Sequence, residues 1–376
     1  MTGTTPKHLY TAEKNIIPIV SGSLKTVLIL ENNPVLVSAA RDFRDPKVFW
    51  YEGSKRWIMV LAVGQEMQFF SSPNLKDWTF ESSFGKGHGA HGNVWECPDL
   101  FELPVEGTNE KKWVLLCSLG DGPFGDSATQ YFVGSFNGKE FVNESPSKTK
   151  WMDWGKDHYA TVTWSDAPDN RRIAIAWMSN WQYANDVPTS QYRSPNSVPR
   201  DLSLFTVDGE TYLQSAPSPE LLALRDASKK RSFKVNGTRT IKEMIPGNDG
   251  AYEIELTIEN QHADVIGFRL YNDKGEEVDM QYDMKEKKFS MDRRKSGEVS
   301  FNENFPMLTW TAIESGKEAL KLRLFVDKSS VEAFGDGGRF AMTNQVFPSE
   351  PYNHIDFYSK GGAYKVDSFV VYKLKP

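Results

Sequence analysis

Lys47-Val48-Phe49-Trp50-Tyr51 is followed by Glu52-Gly53-Ser54-Lys55 and then by Arg56-Trp57-Ile58-Met59-Val60-Leu61-Ala62-Val63. Two apolar, aromatic-rich runs around a short glycine-bearing break predict a strand–turn–strand hairpin. Met67 to Ser72 reads as a third strand, and Pro73-Asn74-Leu75-Lys76-Asp77-Trp78-Thr79-Phe80 turns into a fourth. The scheme recurs in Leu100 to Leu103, Lys112 to Leu119 and Gln130 to Phe136, closed by Asn137-Gly138-Lys139-Glu140-Phe141-Val142. Asn74 to Trp78 and Asn137 to Phe141 carry one turn-and-aromatic pattern, 63 residues apart. A third unit starts near Asp157-His158-Tyr159-Ala160, runs through Thr161 to Ser165, turns at Asp166 to Asn170 and returns along Arg171 to Ser179. Four-stranded units in series predict a β-propeller, with innermost strands starting near Asp45, Glu96 and Asp157 around one axis.

From Asp45 to about Phe205 there are three clear units and part of a fourth. Residues 1–40, with the runs Ile16 to Val20 and Lys25 to Leu30, hold at most a partial blade. The pattern changes at Ala216-Pro217-Ser218-Pro219-Glu220-Leu221-Leu222-Ala223-Leu224, a short helix-like connector. Beyond it come alternating strands such as Tyr252 to Ile258, Val265 to Tyr271 and Lys321 to Val326, separated by turn signals such as Asn272-Asp273-Lys274-Gly275. Such strand density predicts a β-sandwich. The expected organisation is an all-β chain: propeller over 1–215 with its N-terminal blade incomplete, linker over 216–231, sandwich over 232–376.

Composition narrows the function classes. The balance of 44 basic against 50 acidic residues, without long runs of either sign, argues against nucleic acid, whose binding needs a positive surface. It suits a neutral ligand. Aromatic residues make up 13% of the chain, and sugar C–H faces stack on such rings, although most of the 11 Trp belong in the core. No stretch reaches the roughly 18 apolar residues of a membrane span. The two cysteines, Cys97 and Cys117, are too few for a disulfide framework and make no metal site, and no cofactor is implied. Met1 to Tyr10 shows no secretory signal pattern.

Two acidic residues sit in tight proline-containing contexts at the mouths of apolar strands: Arg44-Asp45-Pro46 and Trp95-Glu96-Cys97-Pro98-Asp99. Carboxylates at equivalent points of successive strands are what glycosidic bond cleavage requires: one donates a proton to the departing oxygen, others stabilise the cationic sugar. The same residues also read as turn or strand-capping positions, since Asp before Pro commonly starts a turn.

Phe43-Arg44-Asp45-Pro46-Lys47, Trp95-Glu96-Cys97-Pro98-Asp99-Leu100-Phe101 and Trp177-Met178-Ser179-Asn180-Trp181-Gln182-Tyr183 together resemble glycoside hydrolase family 32, the β-fructofuranosidases of invertase, inulinase and levanase type. The resemblance runs from about Asn33 to the C-terminus and extends to Asp327 to Gly335, which is similar to the family's C-terminal sandwich module. It implies a five-bladed propeller, and a retaining cleavage of fructan or sucrose in which Glu96 is general acid/base and Asp45 stabilises the transition state. It also implies Arg44 orienting Asp45 or binding a hydroxyl, and Trp181 as a subsite aromatic that tilts the substrate toward fructan. Trp95 is expected to line the cleft beside Glu96, and desolvation there to raise the Glu96 pKa. Cys97 is expected to pack behind Glu96, and Asp157 to face the axis as a substrate-binding carboxylate. The family also implies export.

The family's nucleophile is an Asp in a Trp-Met-Asn-Asp-Pro-Asn-Gly type motif upstream of Arg-Asp-Pro, and no such motif occurs in these 376 residues. Asp166-Ala167-Pro168-Asp169-Asn170 does not replace it, because it reads as a hairpin turn. Two readings therefore stand: a fructan hydrolase incomplete at its N-terminus, and a carbohydrate-binding protein that keeps the pocket without turnover. A different five-bladed glycosidase family, such as the arabinanases, is disfavoured by the Glu-Cys-Pro and Trp-Met-Ser-Asn-Trp segments. Oligomeric state is not legible.

Overall fold

In the structure, a computed structural model describing residues 33–313 and 319–375, burial along the strands separates two kinds of sheet. The runs Ile16 to Val20 and Lys25 to Leu30 lie outside the described residues. Strands β1 (Phe43–Tyr51), β2 (Arg56–Val63), β3 (Glu66–Ser72) and β4 (Thr79–Phe84) form one antiparallel meander. A second comprises β5 (Trp95–Pro104), β6 (Lys111–Gly120), β7 (Ser127–Phe136) and β8 (Phe141–Asn143), with the short β9 (Lys150–Trp151) also on β7. A third comprises β10 (Tyr159–Thr163), β11 (Ile173–Trp177), β12 (Arg200–Val207) and β13 (Glu210–Pro217).

These sheets stack face to face as propeller blades do, so β2 and β6 are apolar on both faces. On β2, Ile58, Val60 and Ala62 pack toward Leu100 and Leu115 of the second sheet, while Met59 and Leu61 join Phe43 and Phe70 on the opposite face. Leu116 and Val114 likewise meet Ala174, Leu202 and Leu204 of the third. The repeated turn pattern has one cause. Asn74 Oδ1 accepts the backbone N–H groups of Lys76 and Asp77, and Asn137 Oδ1 accepts those of Lys139 and Glu140, each turn leading into the outermost strand of its sheet. The stretch up to Phe205 read as part of a fourth unit, whose strand is β12, belongs to the third sheet. It falls there because the loop carrying Trp181 is inserted between β11 and β12 and delays the meander.

A single 3₁₀ turn, Pro219–Leu224, leads into the sandwich. Its strands are β14 (Arg225–Val235), β15 (Thr238–Ile241), β16 (Tyr252–Asn260), β17 (Val265–Tyr271), β18 (Glu277–Asp283) and β19 (Lys288–Lys295). They continue with β20 (Leu308–Ala312), β21 (Leu320–Asp327), β22 (Ser330–Gly335), β23 (Phe340–Gln345), β24 (His354–Lys360) and β25 (Tyr364–Leu374). Arg225 already pairs with Leu374, so strand structure begins inside the stretch read as a linker; the polar run Ser228 to Arg231 hides it from a hydrophobicity reading. The two sheets run β14-β25-β16-β21-β22-β23 and β15-β24-β17-β18-β19-β20. Burial alternates on strands such as β18, where Val278, Met280 and Tyr282 face the core, because one face is turned to the partner sheet, whereas β22 and β23 are buried along nearly their whole length. Among the described residues no helix is long and apolar enough to cross a membrane.

The propeller side joins the sandwich by edge pairing. Trp154 N–H donates to the Ala341 carbonyl at 2.8 Å and Asp157 N–H to that of Thr343 at 3.1 Å, so Trp154 to Asp157 runs along β23. A Cβ at position 155 would stand 1.9 Å from the Thr343 carbonyl oxygen, which explains Gly155. Fully buried Arg200 then bridges the halves, donating to Asp153 and Glu332, each at 2.8 Å, and to the Thr343 hydroxyl at 2.6 Å.

Candidate functional site

The inner strand of each propeller sheet carries the same irregularity. The antiparallel register slips between Arg44 and Lys47 on β1, between Glu96 and Asp99 on β5, and between Tyr159 and Val162 on β10. At each slip one non-glycine residue takes a left-handed backbone: Asp45 at φ 57°, Cys97 at φ 48° and Ala160 at φ 52°. A bulge re-aims the side chain beside it and commonly accompanies a functional site. It aims Arg44, Glu96 and Tyr159 at one another. Arg44 Nη2 donates to Glu96 Oε1 at 2.8 Å, and the Tyr159 hydroxyl donates to Glu96 Oε2. A second tier follows: Lys47 donates to Asp99 at 3.0 Å, and Asp99 accepts the Thr163 hydroxyl at 2.7 Å. Both tiers tie all three sheets together.

This arrangement corrects the sequence alignment of the two motifs. Glu96 is the structural counterpart of Arg44, and Cys97 that of Asp45. Asp45 nonetheless reaches the same centre. Its Oδ2 accepts the Cys97 N–H at 3.0 Å and lies 3.9 Å from Arg44 Nε, so one guanidinium touches both carboxylates. The side chains of Arg44, Asp45 and Glu96 remain 23–26% exposed, open to a ligand. Desolvation alone would lower the Arg44 pKa, but its bonds to Glu96 and Asp42 outweigh that and hold the guanidinium charged. Burial, followed by the charge of Glu96, pushes the Tyr159 phenol far above its ordinary range, so it stays protonated and donates to Glu96. Burial and then Asp45 raise the Cys97 thiol in the same way, which leaves it protonated against Asp45.

From Tyr159 an aromatic path leads outward. Its ring meets Trp177 edge-on at 6.2 Å, and Trp177 lies 4.9 Å from Trp181, which is 56% exposed. Buried Asn180 holds this loop, donating to the Gly125 and Lys156 carbonyls at 3.0 and 3.1 Å.

Two expected residues lie elsewhere. Trp95 does not line the cleft: successive side chains of a strand point to opposite faces, so with Glu96 facing the axis Trp95 faces the core. It is fully buried, its indole N–H donating to the Ala90 carbonyl at 3.0 Å. Asp157 does not face the axis either. It precedes β10 by two residues and is fully buried, accepting Arg293 of β19, the Gln345 N–H at 2.8 Å and the Tyr183 hydroxyl at 2.5 Å. No oxygen is left for a substrate. His88 and His91 are stacked on Phe84 and Trp95, 4.7 and 5.1 Å between ring centres. Sequence reading missed Tyr159 and the outward role of Trp177. The signal available was the third strand start, read two residues too early.

The N-terminal domain model of the glycosyl hydrolases family 32 matches residues 1–217, and the family's C-terminal model matches residues 220–373. The levanase of Bacillus subtilis (strain 168) is 44% identical over 354 residues, 91% of this chain and 52% of that protein. The chain thus spans about half the length of that relative. Exo-inulinase from Aspergillus awamori matches with a TM-score of 0.82 at 32% identity, covering 91% of this chain and 70% of that one. The β-fructofuranosidase of Schwanniomyces occidentalis complexed with fructosyl-erythritol matches with a TM-score of 0.82 at 31% identity, covering 93% and 73%.

Proposed function

The chain belongs to glycosyl hydrolase family 32, and from that premise we propose that it acts on β-fructofuranosidic linkages of fructans, with sucrose as the smaller alternative. The observation that carries this reading is Glu96 held by Arg44 and Tyr159 beside Asp45. In the proposed chemistry the Glu96 carboxyl gives its proton to the glycosidic oxygen as the bond from that oxygen to the anomeric carbon breaks. Asp45, with Arg44 beside it, accepts hydrogen bonds from fructosyl hydroxyls, which tighten as positive charge grows on the ring. Trp177 and Trp181 offer faces to sugar units further along the chain. Glu96, then a carboxylate, takes a proton from the water that completes hydrolysis.

A second reading rests on one observation: the 376 residues contain no Trp-Met-Asn-Asp-Pro type motif to supply the attacking carboxylate. On that reading the polypeptide holds fructan and turns it over weakly or not at all. Incubating it with levan, inulin and sucrose and measuring free fructose separates the two. Release that disappears in Glu96→Gln supports hydrolysis. Retention on levan without release supports binding alone, and neither release nor retention removes both.

A further inference from the structure

Gly267 lies in the middle of β17, where a side chain would normally pack. A Cβ at that position would fall 2.1 Å from Cζ of Tyr358, whose backbone is its register partner on β24. The phenol therefore lies down across β17 instead of standing up from the sheet, and its hydroxyl reaches Asp279 on β18, 2.8 Å from both carboxylate oxygens. Gln281, opposite Gly267 on the other side, donates to the same carboxylate at 2.6 Å. The result is an aromatic face turned outward on the side of the sheet away from the core, ringed by planar polar groups.

This platform belongs to one register row, Thr238–Tyr358–Gly267–Gln281–Ser290–Trp310, that crosses all six strands of its sheet. Trp310, 41% exposed, marks the far end, about 19 Å away at ordinary strand spacing. A groove of about 800 Å³ lies over the row's Tyr358 side. Four carboxylates and four cationic side chains line it, and most are paired within the sheet: Arg269 with Glu277 and Asp356 at 3.0 and 2.7 Å, Arg294 with Asp292. Burial, the largest cause, also raises the Asp279 pKa. A groove without net charge has no pull on a polyanion or a cationic peptide. The flat ring, the paired charges and the Gln281 amide match a neutral polyhydroxylated chain, whose C–H faces stack while its hydroxyls exchange hydrogen bonds.

We infer that this outer face of the sandwich is a second carbohydrate-binding site, separate from the Glu96 centre, on which a neutral oligosaccharide lies across the strands with Tyr358 as its platform. The ligand class follows from the groove. That the ligand is the same fructan taken by the propeller rests on the function proposed above. Such a face would hold polymer while its end occupies the other site.

The test is affinity electrophoresis of the whole polypeptide through gels containing levan, inulin, xylan or soluble starch. Wild type is compared with Tyr358→Ala, Gln281→Ala and Trp181→Ala, with melting temperatures in parallel. Retention at least about ten-fold weaker in Tyr358→Ala and reduced in Gln281→Ala, at unchanged melting temperature, is expected, about 1.4 kcal/mol of binding. Trp181→Ala should leave this component in place. Should Tyr358→Ala fail to fold, Gln281→Ala and Tyr358→Phe, which keeps the ring, decide the matter. Dependence on Tyr358 seen only with xylan or starch would uphold the site and remove fructan as its ligand, without touching the Glu96 reading. Absence of retention in every gel, or retention indifferent to Tyr358 and Gln281, would overturn the inference.

Discussion

Glu96 occupies on β5 the position that Arg44 occupies on β1. Each immediately precedes a left-handed residue in a bulge, and their side chains meet at 2.8 Å. A cation from one sheet and a carboxylate from the next are thus brought together by a shared backbone irregularity. On β10 the same irregularity is formed by Ala160, whose Cβ is unfavourable at φ 52°.

Ala160→Gly is accordingly expected to raise stability by up to about 1 kcal/mol, because glycine adopts that backbone freely. Ala160→Val should lower it by roughly 1–3 kcal/mol. Urea unfolding of both variants checks this. Equal loss in the two would show that side-chain packing, not backbone conformation, dominates there.

Neither thiol should react readily in the native protein. Burial is the main cause raising both Cys97 and Cys117. Alkylation requires the thiolate. At pH 8, iodoacetamide should leave both unmodified by mass spectrometry, and both should react once the chain is unfolded in urea. Rapid native labelling of Cys97 would show that its contact with Asp45 is open.

Asp157 and Trp181 should separate cleanly. Asp157→Asn leaves Arg293 buried with its charge uncompensated, which costs about 3–5 kcal/mol. Its folded fraction should still be retained by levan as wild type is. Trp181→Ala, at an exposed position, should move stability by less than about 0.5 kcal/mol while weakening retention. Calorimetry and affinity electrophoresis on the same preparations report the two effects.

His158 should make stability depend on pH. Burial, reinforced by nearby Arg200, pushes its pKa down to about 3 from an ordinary 6.5, and its Nε2 has no hydrogen-bond partner. Between those values the unfolded chain binds a proton that the folded chain refuses. Stability is therefore full above pH 6.5 and falls as pH drops toward 3, by at most about 1.4 kcal/mol per pH unit from this group. Asp153 and Glu332 titrate in the same buried region, so the difference between wild type and His158→Asn isolates the imidazole. A difference curve flat from pH 6.5 to 4 would contradict the assignment.

Local interactions made much of this protein legible in its sequence. The turns at Asn74 and Asn137 are closed by bonds spanning two or three residues, so the side chain that makes them stands beside the backbone that needs them. The apolar runs of β2 and β6 mark strands covered on both faces, and the alternation on β18 marks one covered on a single face. The Arg-Asp-Pro and Glu-Cys-Pro segments could be singled out as short motifs, but the bonds between them span 52 residues. What the sequence left open was decided by contacts between distant residues. Glu96 is held by Arg44 and by Tyr159, 52 and 63 residues away, and Asp157 is claimed by Arg293, 136 residues on. Whether a carboxylate faces solvent or an arginine depends on which chain segment desolvates it, and no pattern of neighbours encodes that. The Tyr358 ring lies flat because the residue paired with it on the neighbouring strand is a glycine, a relation that sheet register alone creates.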